Sequence, residues 1–171
     1  LSLHDALPIC QDFWRISGIE RDVFLYSQPK AALKDFRVTS TLDDTYKDGI
    51  FKLGVDLRNN GSTAGNMTLV YELLDANGKV VATGEKATNV AAGETRTMSF
   101  DQTLPDVKTW TSEAPNLYKL VMTVKENGKV NEIIPFNVGF RRIEIKPTEQ
   151  LARNGKPYVC LFINGQPLKL K

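Results

Sequence analysis

The sequence predicts an all-β fold, because two features recur from Lys34 onward. Apolar and polar residues alternate in short runs, which is the pattern of half-buried antiparallel strands. Turn residues such as Gly, Asn, Asp and Pro interrupt these runs roughly every ten residues, as in two-sheet sandwiches. We therefore expect an immunoglobulin-like (fibronectin III-like) antiparallel β-sandwich of about seven strands, with short flanking segments.

The first four strands are predicted between Phe36 and Thr83. Phe36 and Val38 share one side of the first strand, and the alternation is regular over Phe51–Leu57 and Leu69–Leu73. The polar run Asn59–Ser62 is interpreted as the turn that ends the second strand. Asn77–Gly78 predicts a type I′ hairpin turn into a fourth strand that covers residues 80–83.

The last three strands are predicted at 95–100, 120–124 and 130–138. A second Asn-Gly pair, Asn127–Gly128, forms the turn between the final two. Pro135 has no N–H to donate, which favours an edge strand or a bulge at that position. The residues expected in the core occupy inward positions of the alternation: Val38, Leu53, Val55, Leu57, Leu69, Tyr71, Met98, Phe100, Leu120, Met122 and Val124.

The composition excludes several classes of function. The 171 residues include 22 Lys and Arg against 20 Asp and Glu, a net charge of +2 that favours neither a nucleic-acid nor a membrane partner. The sequence has neither an apolar run long enough to span a membrane nor a signal-peptide pattern, so we expect a soluble chain, cytoplasmic or periplasmic in a bacterium. The single histidine, His4, leaves little for histidine-based catalysis or metal binding.

Candidate sites within the sandwich are weak. Residues 43–49 (DDTYKDG) offer oxygen ligands for calcium, but Asp and Gly also favour a solvated turn, which is the preferred interpretation. The glutamates lie in turns or at outward positions, as expected for a solvated surface. Cys10 and Cys160 leave a disulfide and two free thiols both open, with free thiols favoured. No cofactor is expected in this chain.

The two ends carry the most specific motifs. Residues 11–26 (QDFWRISGIERDVFLY) resemble the closing strands of the sugar-binding jelly-roll domain of glycoside hydrolase family 2, of the large β-galactosidase type, where D-x-W-R-x-S-G-I-x-R-D-V leads into a sandwich. Leu161–Lys171 resembles the hairpin that opens the catalytic (β/α)8 barrel of that family, with Asn164–Gly165 as its turn. Further matches follow in order: Trp110, Ser112–Glu113, Pro115–Tyr118 and Val138–Arg141.

The resemblance implies four segments. Residues 1–10 are a non-native, adapter-like segment, and residues 11–30 are the C-terminal end of the jelly-roll domain. Residues 31–140 form the sandwich. Residues 141–171 are a linker and the N-terminal hairpin of the truncated catalytic TIM-barrel domain.

The resemblance also implies a function, that of a non-catalytic domain that spaces and orients the sugar-binding domain against the catalytic barrel. The parent enzyme would hydrolyse terminal β-galactosides by a retaining mechanism, with its catalytic glutamates outside this chain. This fragment would therefore contain no catalytic residue and be inactive. Asp12 would contact the substrate and a sodium ion only in the intact parent, where magnesium is a further expected cofactor.

The implied partners are the neighbouring jelly-roll and TIM-barrel domains of the same polypeptide and the β-galactoside substrate of the parent. Unpaired strand edges also invite a homo-oligomer. The alternative is a free-standing adhesion or carbohydrate-binding β-sandwich, which an exposed aromatic platform would favour. Trp110 lies in a loop between Pro105 and Pro115, where we expect it to anchor the core or a domain contact.

Overall fold

The computed structural model describes residue 19 and residues 21–151 and 153–168, and it confirms the predicted all-β class. No helix occurs among these residues. Ten strands follow one another along the chain: β1 Ala31–Leu42, β2 Gly49–Asn59, β3 Gly65–Leu74, β4 Val80–Val90, β5 Thr95–Leu104, β6 Tyr118–Glu126, β7 Lys129–Val138, β8 Ile143–Leu151, β9 Pro157–Ile163 and β10 Gln166–Pro167. β8 lies in the predicted linker, and β4 continues well beyond the four residues predicted for it.

Seven strands form the sandwich and three form a separate sheet. The strand order is β1-β2-β5 in one layer and β4-β3-β6-β7 in the other, and all neighbours are antiparallel. The fourth strand pairs with the third, whereas in immunoglobulin constant domains it joins the layer of the first strand. The third sheet has the order β10-β9-β8.

The core lies between the two layers, as the alternation predicts. Every predicted core residue is buried except Val38, which is half-buried on the edge strand β1. Tyr71 is the centre of an aromatic group, with its ring 5.5 Å from that of Phe51 and 5.0 Å from that of Phe100. Its hydroxyl donates to Gln102 Oε1 at 2.8 Å, so the buried phenol is satisfied.

The chain enters the sandwich at one end and leaves it at the other. β1 and β7 are edge strands of the two layers, and they run in the same direction, since the start of β1 contacts the start of β7 and the end of β1 contacts the residue after β7. Asn131 Nδ2 donates to Ala31 O at the entering end, and Ser40 Oγ donates to Gly139 O at the leaving end. Ala31 and Ser40 are nine residues apart along β1, which separates these ends by roughly 30 Å.

The turns test the three Asn-Gly predictions. Asn127–Gly128 and Asn164–Gly165 have positive φ at both residues, as a type I′ turn requires, and both predicted turns are confirmed. The type I′ prediction at Asn77–Gly78 is wrong, because only Gly78 has positive φ. Asp75 accounts for the difference: its carboxylate accepts from the N–H groups of Asn77 and Lys79, and its carbonyl accepts from Gly78 N–H.

The position of Pro135 is confirmed. Pro135 lies in β7, which is an edge strand of the four-stranded layer. An edge strand has a hydrogen-bonded neighbour on one side only, which is where proline is tolerated in a sheet. Among the described residues, no helix is long and apolar enough to cross a membrane.

Candidate functional site

Two residues predicted from the sequence to matter for function or pairing, Asp12 and Cys10, lie outside the described residues. The role of Asp12 and the pairing of Cys10 with Cys160 therefore stay predictions. Within the described residues, no group of three or more His, Cys, Asp or Glu side chains could hold a metal ion.

The described carboxyl groups whose pKa is shifted do not resemble a glycosidase acid. Such an acid needs a raised pKa, so that it stays protonated at the working pH. Where the pKa of a described carboxyl is shifted, hydrogen bonds that favour the ionised form lower it. The four carboxylates concerned are Asp43, Asp75, Glu113 and Glu144.

The most organised polar region lies where the chain leaves the sandwich, beside the β1–β2 loop. Asp43 holds this loop together: its carboxylate accepts from the Thr45 hydroxyl at 2.6 Å and from the N–H groups of Lys47 and Asp48 at 3.0 Å. These hydrogen bonds lower the pKa of Asp43 to about 2, and the bond from Thr45 contributes most. In the loop that was predicted as a solvated turn or a calcium site, the Asp43 carboxylate thus accepts hydrogen bonds from donors of the same loop.

Tyr46 projects from this loop towards β8. Its φ of 59° is unusual for an aromatic residue, and the loop bonds hold it there. Tyr46 Oη donates to Glu144 Oε2 at 2.7 Å and accepts from Lys146 Nζ at 2.8 Å. Lys146 Nζ also lies 2.9 Å from Glu144 Oε2. A phenol hydroxyl, an ammonium and a carboxylate are therefore all in mutual contact.

Arg142 extends this network back to the loop. Its guanidinium forms ion pairs with Asp44 Oδ1 at 2.7 Å and with Glu144 Oε1 at 3.1 Å. We call Asp44, Tyr46, Arg142, Glu144 and Lys146 the exit cluster. The Glu144 side chain is only 15% exposed, so its two carboxylate oxygens are engaged by partners rather than by bulk water.

The charges of the exit cluster stabilise one another. The hydrogen bonds from Lys146 and then Tyr46 lower the pKa of Glu144, with a further contribution from the Arg142 charge. The same bonds, Tyr46 first and then Glu144, raise the pKa of Lys146. Both groups are therefore ionised at neutral pH. The charges of the exit cluster attract one another, and its Glu144 is an ionised carboxylate rather than the protonated carboxylic acid that a hydrolytic step needs.

Asn164 fastens the β9–β10 hairpin at a second point. Its Oδ1 accepts from Arg142 N–H and its own N–H donates to Arg142 O, both at 2.9 Å. Its Nδ2 donates to Trp110 O at 3.0 Å. The next residue, Gly165, lies against the Tyr46 ring, where a Cβ would come within 2.8 Å of Tyr46 Cε2.

Trp110 joins these contacts to the sandwich. The backbone N–H of Trp110 donates to Phe140 O at 2.8 Å, and the centre of its ring lies 4.6 Å from the Arg141 guanidinium. Gly139 fits under the indole, since a Cβ there would come within 3.1 Å of three Trp110 atoms. Trp110 therefore anchors the segment that leaves the sandwich, and it lines a groove of about 580 Å³ between that segment and β1.

Sequence patterns did not reveal the exit cluster. Tyr46 and Glu144 are 98 residues apart, and no local spacing relates them. The one available signal was in β8, where Glu144 and Lys146 alternate with Ile143 and Ile145 and so occupy one face of a strand. Trp110, by contrast, was predicted to be an anchor.

Replacing Glu144 by glutamine is expected to weaken the exit cluster in a pH-dependent way. A lowered folded-state pKa stabilises the fold fully above the ordinary glutamate value of 4.5, and this stabilisation is lost as the pH falls through the lower folded value. The melting temperature of Glu144→Gln should therefore lie below that of the unmodified chain at pH 7, and the two should converge towards pH 3.

Glu149→Gln is the matched control, because Glu149 is exposed on the same strand. It should change the melting temperature little at either pH. A deficit of Glu144→Gln that is the same at pH 7 and pH 3 would contradict the assigned role of the ionised carboxylate. Thermal melts followed by circular dichroism at the two pH values provide the measurement.

Comparison with known proteins matches the sandwich to an enzyme family. The family model "Glycosyl hydrolases family 2" matches residues 31–141. A β-galactosidase of Priestia megaterium is 38% identical over 156 residues, which are 90% of this chain and 15% of that protein. The β-galactosidase large subunit of Lactobacillus acidophilus is 36% identical over 156 residues, 91% of this chain and 23% of that subunit.

The solved structures agree on the fold. A putative β-galactosidase from Bacteroides fragilis superposes with a TM-score of 0.65 at 23% identity, over 78% of this chain and 18% of that one. The present chain thus spans less than a quarter of the length of each of these three relatives.

Proposed function

This chain belongs to glycosyl hydrolases family 2, and we propose that it is the non-catalytic sandwich domain of a β-galactosidase. In this role it spaces and orients a sugar-binding jelly-roll domain against a catalytic barrel. The parent enzyme hydrolyses terminal β-galactosides by a retaining mechanism, and sodium and magnesium are its cofactors. Asp12 contributes to substrate and sodium binding only in that parent.

The observation that carries the spacing role is the path of the chain. The polypeptide enters the sandwich beside Ala31 and leaves it beside Gly139, at the opposite end. The polypeptide that precedes β1 is thereby held roughly 30 Å from the polypeptide that follows β7. A spacer needs this separation, since a domain whose ends meet on one side would place its neighbours next to each other.

A spacer that also orients its neighbours needs a fixed exit, and the exit cluster supports this. Asn164 and the exit cluster hold the third sheet at two separate points, one at Trp110 and one at the β1–β2 loop. Two attachments restrict rotation about the short link between β7 and β8. The link alone, a few residues long, would leave the direction of the following chain free.

The similarity to β-galactosidases supports a galactoside as the substrate, since the relatives from Priestia megaterium and Lactobacillus acidophilus bear that name. A retaining glycosidase needs two carboxylic groups about 5–5.5 Å apart, one of them protonated. The Glu144 carboxylate instead lies among Arg142, Lys146 and Tyr46, which keep it ionised. This supports a catalytic centre in another domain of the parent.

The expected result is that the purified chain does not hydrolyse a chromogenic β-galactoside. Product release should equal that of buffer alone, because a retaining glycosidase needs two catalytic carboxylates and a closed sugar subsite, which in the proposed parent belong to the catalytic barrel. A family 2 β-galactosidase assayed in parallel is the positive control. Turnover by the chain that disappears when one of its own acids is replaced would overturn the spacer role.

The coding sequence on both sides of this segment separates the proposal from its alternative. A parent of the proposed kind encodes a jelly-roll domain before residue 31 and a barrel with two catalytic glutamates after residue 171. A free-standing adhesion or carbohydrate-binding sandwich encodes neither. Reading the flanking sequence, then assaying the full product on the same β-galactoside, tests the proposed function independently of the structure.

A further inference from the structure

Asparagine followed by glycine is the dipeptide at which a protein chain most readily modifies itself. The backbone nitrogen of the glycine can attack the side-chain carbonyl carbon of the asparagine, because glycine has no Cβ to obstruct the approach. The sequence contains five such pairs, whose asparagines are Asn60, Asn77, Asn127, Asn154 and Asn164. Asn127–Gly128 and Asn164–Gly165 both form type I′ turns, so a difference in reactivity between them reflects their surroundings.

The Asn127–Gly128 pair is open to solvent. Both residues are exposed, and a Cβ built on Gly128 would meet nothing within 4 Å. The backbone N–H of Asn127 donates to Asn66 O at 2.9 Å, but its side chain has no hydrogen-bond partner among the residues that the structure describes. The Asn127 carboxamide is therefore free to rotate towards the Gly128 nitrogen.

The Asn164–Gly165 pair is closed, although its backbone is similar. Asn164 Oδ1 accepts from Arg142 N–H at 2.9 Å and Asn164 Nδ2 donates to Trp110 O at 3.0 Å, so both ends of the carboxamide are held. Both residues of the pair are half-buried, and the Tyr46 ring covers Gly165, where a Cβ would come within 2.8 Å of Tyr46 Cε2. The carboxamide has to break both hydrogen bonds before its Cγ can turn towards the Gly165 nitrogen.

We propose that Asn164 is a deamidation site that reacts when the third sheet separates from the sandwich. The Gly165 nitrogen forms a bond to Asn164 Cγ, the Cγ–Nδ2 bond breaks, and the amide nitrogen leaves as ammonia with the proton of the Gly165 N–H. Water then opens the resulting imide ring at one of its carbonyls, which leaves aspartate or isoaspartate at this position. The reaction consumes water, releases ammonia and needs no other reactant, and it does not depend on the proposed function.

The modification makes the separation permanent. An aspartate at position 164 has no N–H to donate, so a carboxylate oxygen would face the Trp110 carbonyl oxygen. An isoaspartate also adds a methylene group to the main chain of a two-residue turn, which changes the hairpin between β9 and β10. Both products lose the attachment at Trp110, so the third sheet then depends on the ion pairs of the exit cluster.

Comparing the two type I′ pairs within one chain tests the inference. The purified protein is incubated in mildly alkaline buffer and analysed by tandem mass spectrometry, whose fragment ions separate Asn164 from Asn154. In the folded chain Asn164 should react at least about tenfold more slowly than Asn127, since it reacts only from a locally opened state. In urea the two rates should become similar. Equal rates in the folded chain would overturn the inference, and so would a difference that persists in urea.

Two variants of the exit cluster test whether attachment of the third sheet controls the reaction. Tyr46→Ala uncovers the glycine, and Glu144→Gln weakens the contacts with the β1–β2 loop while the Tyr46 ring stays in place. Each should raise the rate at Asn164 at least about threefold and leave the rate at Asn127 unchanged. Glu149→Gln, exposed on β8, is the matched control and should change neither rate. The inference is wrong if neither variant raises the rate at Asn164 selectively.

The Asn164→Asp variant reproduces one product directly. Cys160 is half-buried and lies opposite Lys146, on the face of the third sheet that contacts the sandwich, so its thiol reports on separation. In a Cys10→Ser background, N-ethylmaleimide should label Cys160 at least about threefold faster in Asn164→Asp than in the unmodified sequence. Asn127→Asp adds the same charge in the other type I′ turn and should leave the labelling rate unchanged. Equal labelling of the two aspartate variants would contradict the release of the third sheet by deamidation.

Discussion

Truncating Leu120 to alanine is expected to lower the free energy of unfolding by about 2–5 kcal/mol, the range measured for large-to-small changes in well-packed cores. Leu120 is fully buried on β6, where it pairs with Leu73 on one side and Phe136 on the other. The truncation would leave a cavity between two layers of antiparallel strands. The backbone hydrogen bonds of these strands keep the layers from moving in to fill it. Urea unfolding should show a lower midpoint with an unchanged slope.

The adjacent residue provides the control. Lys119 is exposed on the same strand, and Lys119→Ala should change the free energy of unfolding by less than about 0.5 kcal/mol, as is usual for surface positions. If the two variants unfolded at the same denaturant concentration, the inward and outward positions of β6 would be wrongly assigned. A register error of one residue in this strand would produce that result.

The sandwich could be predicted because its strands lie with one face on the core and one in water. In such strands burial alternates with period two, and this period is visible in the residue types of 51–57 and 69–73. Val38 is less buried than predicted because β1 is an edge strand. The alternation shows which side of a strand is apolar, but an edge position depends on which strands pair, and that information is not local.

The three Asn-Gly turns show the limit of a short motif. Two of them are type I′, and the third is not, although the dipeptide is the same. The residue that decides is Asp75, two positions before Asn77, whose carboxylate caps two N–H groups of a different turn. Asp at the first position of a type I turn is a recognised preference, so this signal was present in the sequence.

The exit cluster could not be predicted in the same way, because it is assembled from residues that the fold brings together. Arg142 and Asp44 are 98 residues apart, as are Tyr46 and Glu144. Their contact depends on the direction in which β7 leaves the sandwich. The motif at the C-terminal end predicted a hairpin after the sandwich, and its Asn164–Gly165 turn was predicted correctly. Neither the motif nor the turn indicates which contacts hold the third sheet against the sandwich.

Asn59 is a second residue whose role the sequence did not reveal. It was interpreted as part of the turn that ends the second strand, yet it is the last residue of β2 and is only 2% exposed. Its Nδ2 donates to Thr63 O at 2.8 Å and to Val90 O at 3.0 Å, and its Oδ1 accepts from Gly61 N–H at 2.8 Å. Because Val90 belongs to β4, the amide joins the two layers of the sandwich.

Replacing Asn59 by alanine should lower the free energy of unfolding by about 2–4 kcal/mol, because buried carbonyl and N–H groups lose their partners. Replacing it by aspartate should cost about 1–2 kcal/mol more, although the shape is nearly conserved, because a carboxylate oxygen would then face two carbonyl oxygens away from water. The excess cost should shrink as the pH falls, since a protonated carboxyl can donate one hydrogen bond.

The neighbouring Asn60, whose side chain is exposed, separates this effect from a simple change of net charge. Asn60→Asp adds the same charge one residue away and should change the free energy of unfolding by less than about 0.5 kcal/mol. Urea unfolding of the three variants at pH 7 and pH 4 gives the comparison. If Asn59→Asp were as stable as Asn59→Ala at pH 7, the amide would not be acting as the donor to Thr63 and Val90, and its hydrogen bonds would not be what joins β2 to β4 at this end.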